Sequence, residues 1–416
     1  MKHVLVIATV DWAQITRLCL ALADGGFKVR ALAPDHHRLH KMPTIDVKVL
    51  GRTRTAALRS ISRTIERFPP DIVIPGDERA IDYMHALYTR AIRGHDRRAR
   101  LLAELIETSL GAPSSFVFAR QRSRFVQLAY DEGLLVPATA VVEDVQQLQA
   151  KTARARYPLV LKRDESSGGE GVRIVTNARE AERNFLELRR AGGCIKAMMQ
   201  ALDRRDASYL ARLFRPDPAI VVQEYIEGRP ANRAVVCRRG RVLAGLSVEA
   251  LQTSGPTGPA SVVRVIESPE MMEATGRLVE RLGLSGFVGF DFMIHARSGQ
   301  AYLLEMNGRP TPICHIAADG PTDMISALAE PFTVTRMAPN IDAPIVALFP
   351  QEIWRDPDSR YLYSAYHDVP RHAAEFVALY ADPVAPEPDH WLQAARKYVH
   401  GRRAASKVGA IQEISR

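Results

Sequence analysis

Apolar and polar residues in the first part of the chain follow a pattern that predicts strands and helices in turn. "HVLVIAT" is a continuous apolar run, typical of a strand buried on both faces, and "WAQITRLCLALADGG" has helical periodicity with a terminal Gly-Gly pair. "KVRALAP", "IDVKVL" and "DIVIPGDE" predict further strands, with a helix in "ALRSISRTIERF". Residues 1 to about 110 are therefore predicted to form a small open parallel α/β domain. Its first turn lacks G-x-G-x-x-G, so a dinucleotide-binding fold is not supported.

Residues 111–330 are predicted to form a second, α+β domain in two halves. The first half, about 120–220, holds a helix in "FARQRSRFVQLAYDEG", the extended segment "LLVPATAVV", two strands around a glycine loop and a basic helical segment at 193–214. The second half, about 221–330, holds the strands of "NRAVVCRRGRVLAGLSV" and a helix in "EMMEATGRLVERLGL". It ends in the hairpin "GFVGFDFMIHARSGQAYLLEMNGRP", with a turn at Ser298-Gly299.

The last part of the chain, 331–416, has weaker patterns. Proline-rich stretches and a basic helix at 391–402 predict a C-terminal extension.

The composition is that of an ordinary globular protein, with 46% hydrophobic and 25% charged residues. The four cysteines show no CxxC pairing, and no apolar run is long enough to span a membrane. We therefore expect a cytoplasmic protein without membrane contact, whose amino terminus forms a strand rather than a signal peptide. The basic runs behind the net charge of +9 carry no interleaved aromatics, so an anionic small-molecule substrate explains the charge better than nucleic acid. A homodimer is compatible with the sequence.

The stretch "YPLVLKRDESSGGEGVRIV", residues 157–175, places a loop with three glycines between two apolar strands. The backbone N–H groups of such a loop can surround a polyphosphate, and Ser166 and Ser167 add hydroxyl donors. Lys162, near the end of the first strand, would hold its ammonium over the phosphates. Because the lysine precedes the glycines, the P-loop pattern is not met. On its own the loop fits a flexible hairpin turn equally well.

The predicted hairpin near residue 300 concentrates charged and amide groups. Asp291 lies on its first strand, and Glu305, Asn307 and Arg309 lie on and beyond its second strand with the period-two spacing that points side chains to one face. Carboxylate and amide oxygens suit Mg²⁺, and a guanidinium neutralises phosphoryl or carboxylate oxygens. A solvated edge hairpin is the alternative, but the apolar neighbours on both strands weaken it, since charges among apolar groups need partners.

These motifs together resemble the ATP-grasp superfamily, and most of all its branch with carbamoyl phosphate synthetase, biotin carboxylase and D-alanine–D-alanine ligase. The resemblance covers about residues 1–315 and depends on the order of "DIVIPGDE", "RQRSRF", the lysine and glycine loop, "VVQEYIEG" and "FDF…EMNGRP". It implies a pre-ATP-grasp α/β domain, then a nucleotide held between two subdomains, with Mg²⁺ or Mn²⁺ on its phosphates. The site residues that it implies are Arg122, Lys162, Ser167, Gly168, Gly169, Gln223, Glu224, Tyr225, Ile226 and Asn232 for ATP, Asp291, Glu305 and Asn307 for the metal, and Lys162, Asn307 and Arg309 for catalysis.

Within this resemblance the backbone of Glu224 and Ile226 would bind the adenine edge. The sequence departs from the family at two positions. The ribose-binding acid after the hinge is replaced by a proline, so Glu227 or Asn232 would have to make that contact. The arginine that peptide ligases place two residues before the first metal acid is Gly289 here.

Because of this glycine, Arg309 or Arg264 would have to stabilise the oxyanion.

Other residues carry weaker signals. Asp77 and Glu78 fit a substrate contact and a helix N-cap equally well, and the loop 253–261 fits a substrate-facing loop or a plain connection. Trp12 is expected to pack in the interior, with a cleft role as the alternative. The histidines of "DHHRLH" are favoured as surface-loop residues over metal ligands.

The function implied is an ADP-forming ligase that joins a small-molecule carboxylate, amino-acid-like, to an amine through an acyl phosphate. Activation of bicarbonate or carbamate is the alternative reaction, a hydroxyl kinase is a third, and a nucleotide-binding regulatory protein without turnover is the alternative class. The complete set of charged site residues disfavours the last of these. The identity of both substrates is not encoded in any motif of the chain.

Overall fold

The structure is a computed structural model that describes most of the chain. The residues described are 2–119, 121–164, 171–190, 218–255, 258–316, 323–329, 344–370 and 372–381. The predicted helices at 193–214 and 391–402, and the glycines of the predicted phosphate loop at 168 and 169 with Ser167, lie outside the described residues.

The amino-terminal domain is a parallel four-stranded sheet with the order β3-β2-β1-β4. Its strands and helices are β1 His3–Ile7, α1 Ala13–Asp24, β2 Lys28–Ala33, β3 Asp46–Val49, α2 Arg54–Arg67, β4 Ile72–Pro75, α3 Glu78–Ala91 and α4 Arg97–Leu110. Strand β4 is buried throughout, and β1 is buried beyond its first residue, as the continuous apolar runs predicted. The predicted open α/β fold class is confirmed. Since parallel strands share one carboxyl edge, the loops after β1 and β4 lie side by side.

A small antiparallel sheet follows, with the order β5-β8-β6-β7. The elements of this part are α5 Arg122–Asp131, β5 Thr139–Val142, α6 Val145–Thr152, β6 Leu159–Arg163, β7 Val172–Val175, α7 Ala178–Arg190 and β8 Ile220–Glu224. Helices α6 and α7 cover one face of the sheet, where Leu159 and Leu161 are buried. Because side chains alternate along a strand, Val160 and Lys162 point to the opposite face.

A seven-stranded sheet with the order β13-β12-β9-β10-β11-β14-β15 forms the centre of the molecule. Its strands are β9 Gly228–Arg238, β10 Arg241–Thr253, β11 Ala260–Val265, β12 Gly286–His295, β13 Ala301–Asn307, β14 Ile345–Ala347 and β15 Tyr366–His367. The accompanying helices are α8 Pro269–Leu282, α9 Met324–Ala329, α10 Gln351–Arg355, α11 Tyr361–Ser364 and α12 Ala374–Tyr380. The predicted turns are present, with Gly240 and Gly299 at positive φ values of 81° and 73°.

The two faces of this large sheet pack against different partners. Helices α5 and α8 cover one face, with Phe290 and Phe292 in the core between them. The other face packs on α1 of the amino-terminal domain and on segment 344–381, in one continuous core that includes Ala234 and Phe287. Segment 344–381 therefore belongs to the central sheet and its core, which the weak patterns after residue 330 did not predict.

Candidate active site

The predicted acidic hairpin is the centre of a polar cluster on the large sheet. Asp291 pairs with Glu305 across β12 and β13, and with Asn232 on β9, so the three side chains share one face. Asn307 Nδ2 donates a hydrogen bond to Asp291 Oδ2 at 2.8 Å, and Asn232 Nδ2 donates to Asp291 Oδ1 at 2.6 Å. The structure thus brings Asp291, Glu305 and Asn307 together, as the period-two spacing predicted.

Two cations approach this cluster from outside the large sheet. Arg122, at the start of α5, places Nε 2.8 Å from Glu305 Oε2. Lys162, on β6 of the small sheet, interacts electrostatically with Glu305 and Asp291. Burial lowers the pKa of the Lys162 ammonium, and the positive charge of Arg122 lowers it further, against the attraction of Glu305 and Asp291. The small and the large sheet therefore present opposite charges to each other.

The two carboxyl groups of the cluster titrate differently. Burial and the nearby Glu305 charge raise the pKa of Asp291 to about 7. For Glu305, burial acts to raise the pKa, but the charges of Arg122 and Lys162 outweigh it and hold the pKa below its usual value. Adjacent buried carboxylates repel each other, so a bound cation would favour the ionised form of both.

The donor set fits a hard divalent metal that shares its coordination with a phosphate. Among the described residues, no group of three or more His, Cys, Asp and Glu side chains could hold a metal ion without other ligands. Two carboxylates and an amide are the incomplete protein shell that is typical of Mg²⁺ bound together with substrate phosphates. Asp291, Glu305 and Asn307 would hold the ion.

The predicted adenine-binding residues lie at the end of β8 and in the connection to β9. Gln223 is buried, and its Nε2 donates to Thr139 Oγ1 at 2.9 Å. The backbone N–H of Glu224 already donates to Ala138 O at 2.8 Å, which leaves its carbonyl rather than its N–H for a base. The side chain of Ile226 is buried as well. Tyr225 lies between these two residues in the same connection.

Asn232, the predicted ribose contact, is hydrogen-bonded to Asp291 and Thr311. Its Nδ2 donates to Asp291, and its Oδ1 accepts a hydrogen bond from Thr311 Oγ1 at 3.2 Å. Both ends of the amide are therefore engaged within the protein, and Asn232 as an ATP ligand stays a prediction. Gly289 is explained by the same contact, because a Cβ there would overlap the Cγ2 methyl of Thr311. The site has no room for the arginine found in peptide ligases.

Arg309 is directed toward the amino-terminal domain. Its Nε and Nη2 lie 2.8 and 2.7 Å from Glu78 Oε1, and its guanidinium carbon lies 5.1 Å from the ring centroid of Trp12. Trp12 follows the loop after β1, and Glu78 begins α3 after β4, so both come from the carboxyl edge of the parallel sheet. Arg309, Glu78 and Trp12 thus form a surface beside the acidic cluster, with one cationic, one acidic and one aromatic side chain.

The other predicted substrate and oxyanion contacts make structural interactions. Asp77 is the N-cap of α3, accepting from Ala80 N at 3.0 Å, and it also accepts from Thr9 Oγ1, in agreement with the N-cap alternative. Arg264 pairs with Glu249 at 2.8 Å on the sheet face opposite the acids, so its proposed oxyanion role is wrong. In the described part of the loop 253–261, Ser254 N donates to Pro259 O at 2.9 Å, as in a tight connection.

The histidines of "DHHRLH" have three different environments. His37 is buried, and its Nδ1 accepts a hydrogen bond from Leu39 N at 3.0 Å. Its other ring nitrogen, Nε2, lies 3.1 Å from Val10 O and therefore carries the proton. The exposed His36 lies beside Asp35, and His40 lies against Ala33 O.

Sequence reasoning missed the residue that ties the small sheet to α5. Asp164, directly after β6, is buried and accepts hydrogen bonds from Ser123 Oγ at 2.7 Å and Ser123 N at 3.3 Å. Its carboxylate therefore caps α5, whose own N-cap residue Gln121 makes no side-chain cap. An aspartate two residues after the phosphate lysine was the available signal, but its partner lies 41 residues earlier in the chain.

The face of the small sheet that carries Lys162 is apolar beside the lysine. Ile174 pairs with Val160, so both face the same side as Lys162, and Ile174 is 37% exposed. Val141 on β5 is exposed as well. The exposed β-branched residues on this face offer a platform for a planar apolar group such as a nucleotide base.

Two sheets that face each other, one with a lysine and an apolar platform and the other with a carboxylate cluster, define a nucleotide-binding protein. Residues 127–312 match the model of the ATP-grasp domain. The chain therefore contains an ATP-grasp domain, in agreement with the resemblance predicted from the motifs; the branch within the superfamily stays a prediction.

Individual relatives are distant. The chain is 22% identical over 196 residues to the arginine-specific large chain of carbamoyl phosphate synthase of Geobacillus stearothermophilus, a match over 45% of this chain and 16% of that one. The L-amino acid ligase of Bacillus licheniformis has a TM-score of 0.50 and 17% identity, over 74% of this chain and 67% of that one. The biotin carboxylase domain of Hydrogenobacter thermophilus 2-oxoglutarate carboxylase, solved with MgADP and bicarbonate, has a TM-score of 0.54 and 18% identity, over 79% and 70%. At these identities the structures share the fold.

No helix among the described residues is long and apolar enough to cross a membrane.

Proposed function

We propose that this protein is an ATP- and Mg²⁺-dependent ligase that forms a C–N bond between a carboxylate and an amine through an acyl phosphate, releasing ADP. The observation that carries the proposal is the meeting of Asp291, Glu305 and Asn307 with Arg122 and Lys162 between two sheets. This arrangement supplies positioning and charge, which is what phosphoryl transfer requires from a protein.

The roles of the residues follow from their positions. The base would lie on the apolar platform of Val160 and Ile174, with its edge toward the carbonyl of Glu224 and the backbone of Ile226. Lys162 and Arg122 would hold phosphate oxygens by charge-assisted hydrogen bonds. A Mg²⁺ ion held by the acidic cluster would neutralise charge on the phosphates.

The acid substrate would bind at Arg309, Glu78 and Trp12. The guanidinium of Arg309 would attract the carboxylate of the substrate. The acyl phosphate formed from this carboxylate would lie between Arg309 and the acidic cluster. Both contacts of Arg309 with Glu78 go to Oε1, so Oε2 would be left for an ammonium group of the substrate. A paired cation and anion complement a zwitterion, and Trp12 adds an aromatic wall. These contacts favour an amino-acid-like carboxylate.

Product analysis tests this proposal. Purified protein with MgATP is screened against carboxylates and amines, and free phosphate and ADP are measured. A ligase releases phosphate fully only when both substrates are present. Phosphate formed with bicarbonate as the acid would identify the carboxylase alternative, ADP without free phosphate a kinase, and no turnover with ATP bound a regulatory protein.

A matched pair of arginine variants locates the acid site. Arg309→Ala should reduce turnover by at least about 100-fold, since a charge that acts on the transition state is lost. Arg264→Ala removes an ion-paired arginine from the opposite face of the same sheet and should leave turnover unchanged. Equal effects of the two changes would contradict the assignment of Arg309.

A further inference from the structure

Segment 344–381 reaches the loop that precedes Trp12. The hydroxyl of Tyr380, which is fully buried, donates to Asp11 Oδ1 at 3.1 Å and lies 2.9 Å from Thr16 Oγ1. Arg38 Nε binds the other oxygen of Asp11 at 2.8 Å, and its guanidinium carbon lies 3.8 Å from the centroid of the Tyr380 ring. Burial raises the pKa of Tyr380, so its hydroxyl stays a donor. The end of α12 is therefore hydrogen-bonded to Asp11, the residue before Trp12.

The same segment holds the stretch that follows Arg309. Asp368, directly after β15, accepts from Arg17 Nη2 at 2.8 Å, and its Oδ2 lies 2.6 Å from His315 Nε2. All three side chains are buried. Burial acts to raise the pKa of Asp368, but His315 and Arg17 outweigh it and hold the pKa well below its usual value. The carboxylate therefore stays ionised and bridges α1 to the stretch after β13.

These two contacts flank the acid-binding surface from both sides. Asp11 and Arg17 lie on either side of Trp12 along the chain, and His315 lies a short way after Arg309. Trp12 and Arg309 are themselves in contact. Neither Tyr380 nor Asp368 is placed in the cluster of acids that would hold the metal. A displacement of segment 344–381 would thus move the residues that bind the acid substrate more than those that bind the nucleotide.

We propose that segment 344–381 positions the surface that binds the acid substrate. Tyr380 and Asp368 are positioning residues that hold Trp12 and Arg309 in place. This inference rests on the proposed function for the identity of the bound acid. The contacts themselves are independent of it. Loss of either residue should weaken binding of the acid and leave nucleotide binding intact.

Hydrogen exchange of the full-length protein without substrates tests the positioning. Tyr380→Phe removes one oxygen, which bonds Asp11 and Thr16, and should speed amide exchange in residues 9–17 about fivefold, as expected for the loss of a buried hydrogen bond. Tyr363→Phe is the matched control, because Tyr363 lies in the same segment and is 85% exposed. It should leave exchange unchanged. Equal exchange in wild type and Tyr380→Phe would overturn the proposal, whether or not a ligase activity is found.

Steady-state kinetics then separate positioning from general loosening. In Tyr380→Phe the KM for the acid should rise about tenfold, while the dissociation constant of ATP stays within about twofold of wild type. Asp368→Asn should give the same split and faster exchange in residues 311–316. If that variant does not fold, Tyr380→Phe alone decides. Parallel weakening of acid and ATP binding would show a structural role only, and the positioning proposal would be wrong.

Discussion

Gly289 offers a direct test of the packing behind the acidic cluster. A Cβ at this position would lie roughly 1 Å inside the ~3.5 Å of an ordinary carbon contact with Thr311 Cγ2. Thr311 cannot rotate its methyl away freely, because the same rotation moves Oγ1 off Asn232 Oδ1. Asn232 in turn supports Asp291. We therefore expect Gly289→Ala to strain this chain of contacts from Thr311 to Asp291.

The size of the effect follows from two terms. Overpacking of a buried site costs about 1–3 kcal/mol in the free energy of unfolding, which for a domain of this size lowers Tm by about 2–4 °C per kcal/mol. Thr311 is buried and Gly289 lies within a paired strand, so little relaxation is available. If the strain shifts Asp291 by about 1 Å, turnover should fall about 100-fold.

A second change should relieve the strain. Thr311→Ser removes the Cγ2 methyl and keeps the hydroxyl that bonds Asn232; alone it should cost about 1 kcal/mol. The double variant Gly289→Ala/Thr311→Ser should be more stable and more active than Gly289→Ala. Thermal unfolding and turnover of all four proteins form a double-mutant cycle. Strictly additive effects, or a Gly289→Ala protein as stable as wild type, would refute the contact.

Three further predictions concern the nucleotide site. Glu305→Ala or Asn307→Ala should abolish turnover with the fold intact by circular dichroism, and wild-type turnover in both would remove the metal assignment. Lys162→Ala should weaken ATP binding about tenfold or more by calorimetry, since a charged hydrogen bond is lost, whereas the exposed Lys151→Ala should not; equal affinities would place the phosphates elsewhere. The glycine loop at 164–172, mostly outside the described residues, should exchange amide hydrogens more slowly with MgATP, and equal protection in both states would show a rigid turn.

Local patterns predicted the parts of the site that one or two strands determine. Asp291 and Glu305 could be placed together because they lie on the two strands of one hairpin, and alternation fixes which face a side chain occupies. The buried strand β1 and the turn at Gly299 were predicted for the same reason, since their signals extend over neighbouring residues.

Contacts between distant segments could not be predicted in this way. Arg309 meets Glu78 across 231 positions, and this pairing depends on how the amino-terminal domain sits on the large sheet. Asn232 was assigned to the ribose through the resemblance alone, since its hydrogen-bond partners Asp291 and Thr311 lie 59 and 79 positions along the chain. Strands β14 and β15 have three and two residues, too few for any periodicity to show.

The place of β14 in the large sheet bears on aggregation. Strand β11, with the β-branched sequence "ASVVRV", pairs antiparallel with β14, with Val262, Val263 and Arg264 opposite Ala347, Val346 and Ile345. A protein ended at residue 312, the last residue matching the ATP-grasp domain, would leave this strand as an open edge with unpaired N–H and C=O groups. Such edges recruit strands from other chains. The chain ended at residue 312 should therefore associate into insoluble material, and the chain extended to residue 381 should remain in solution.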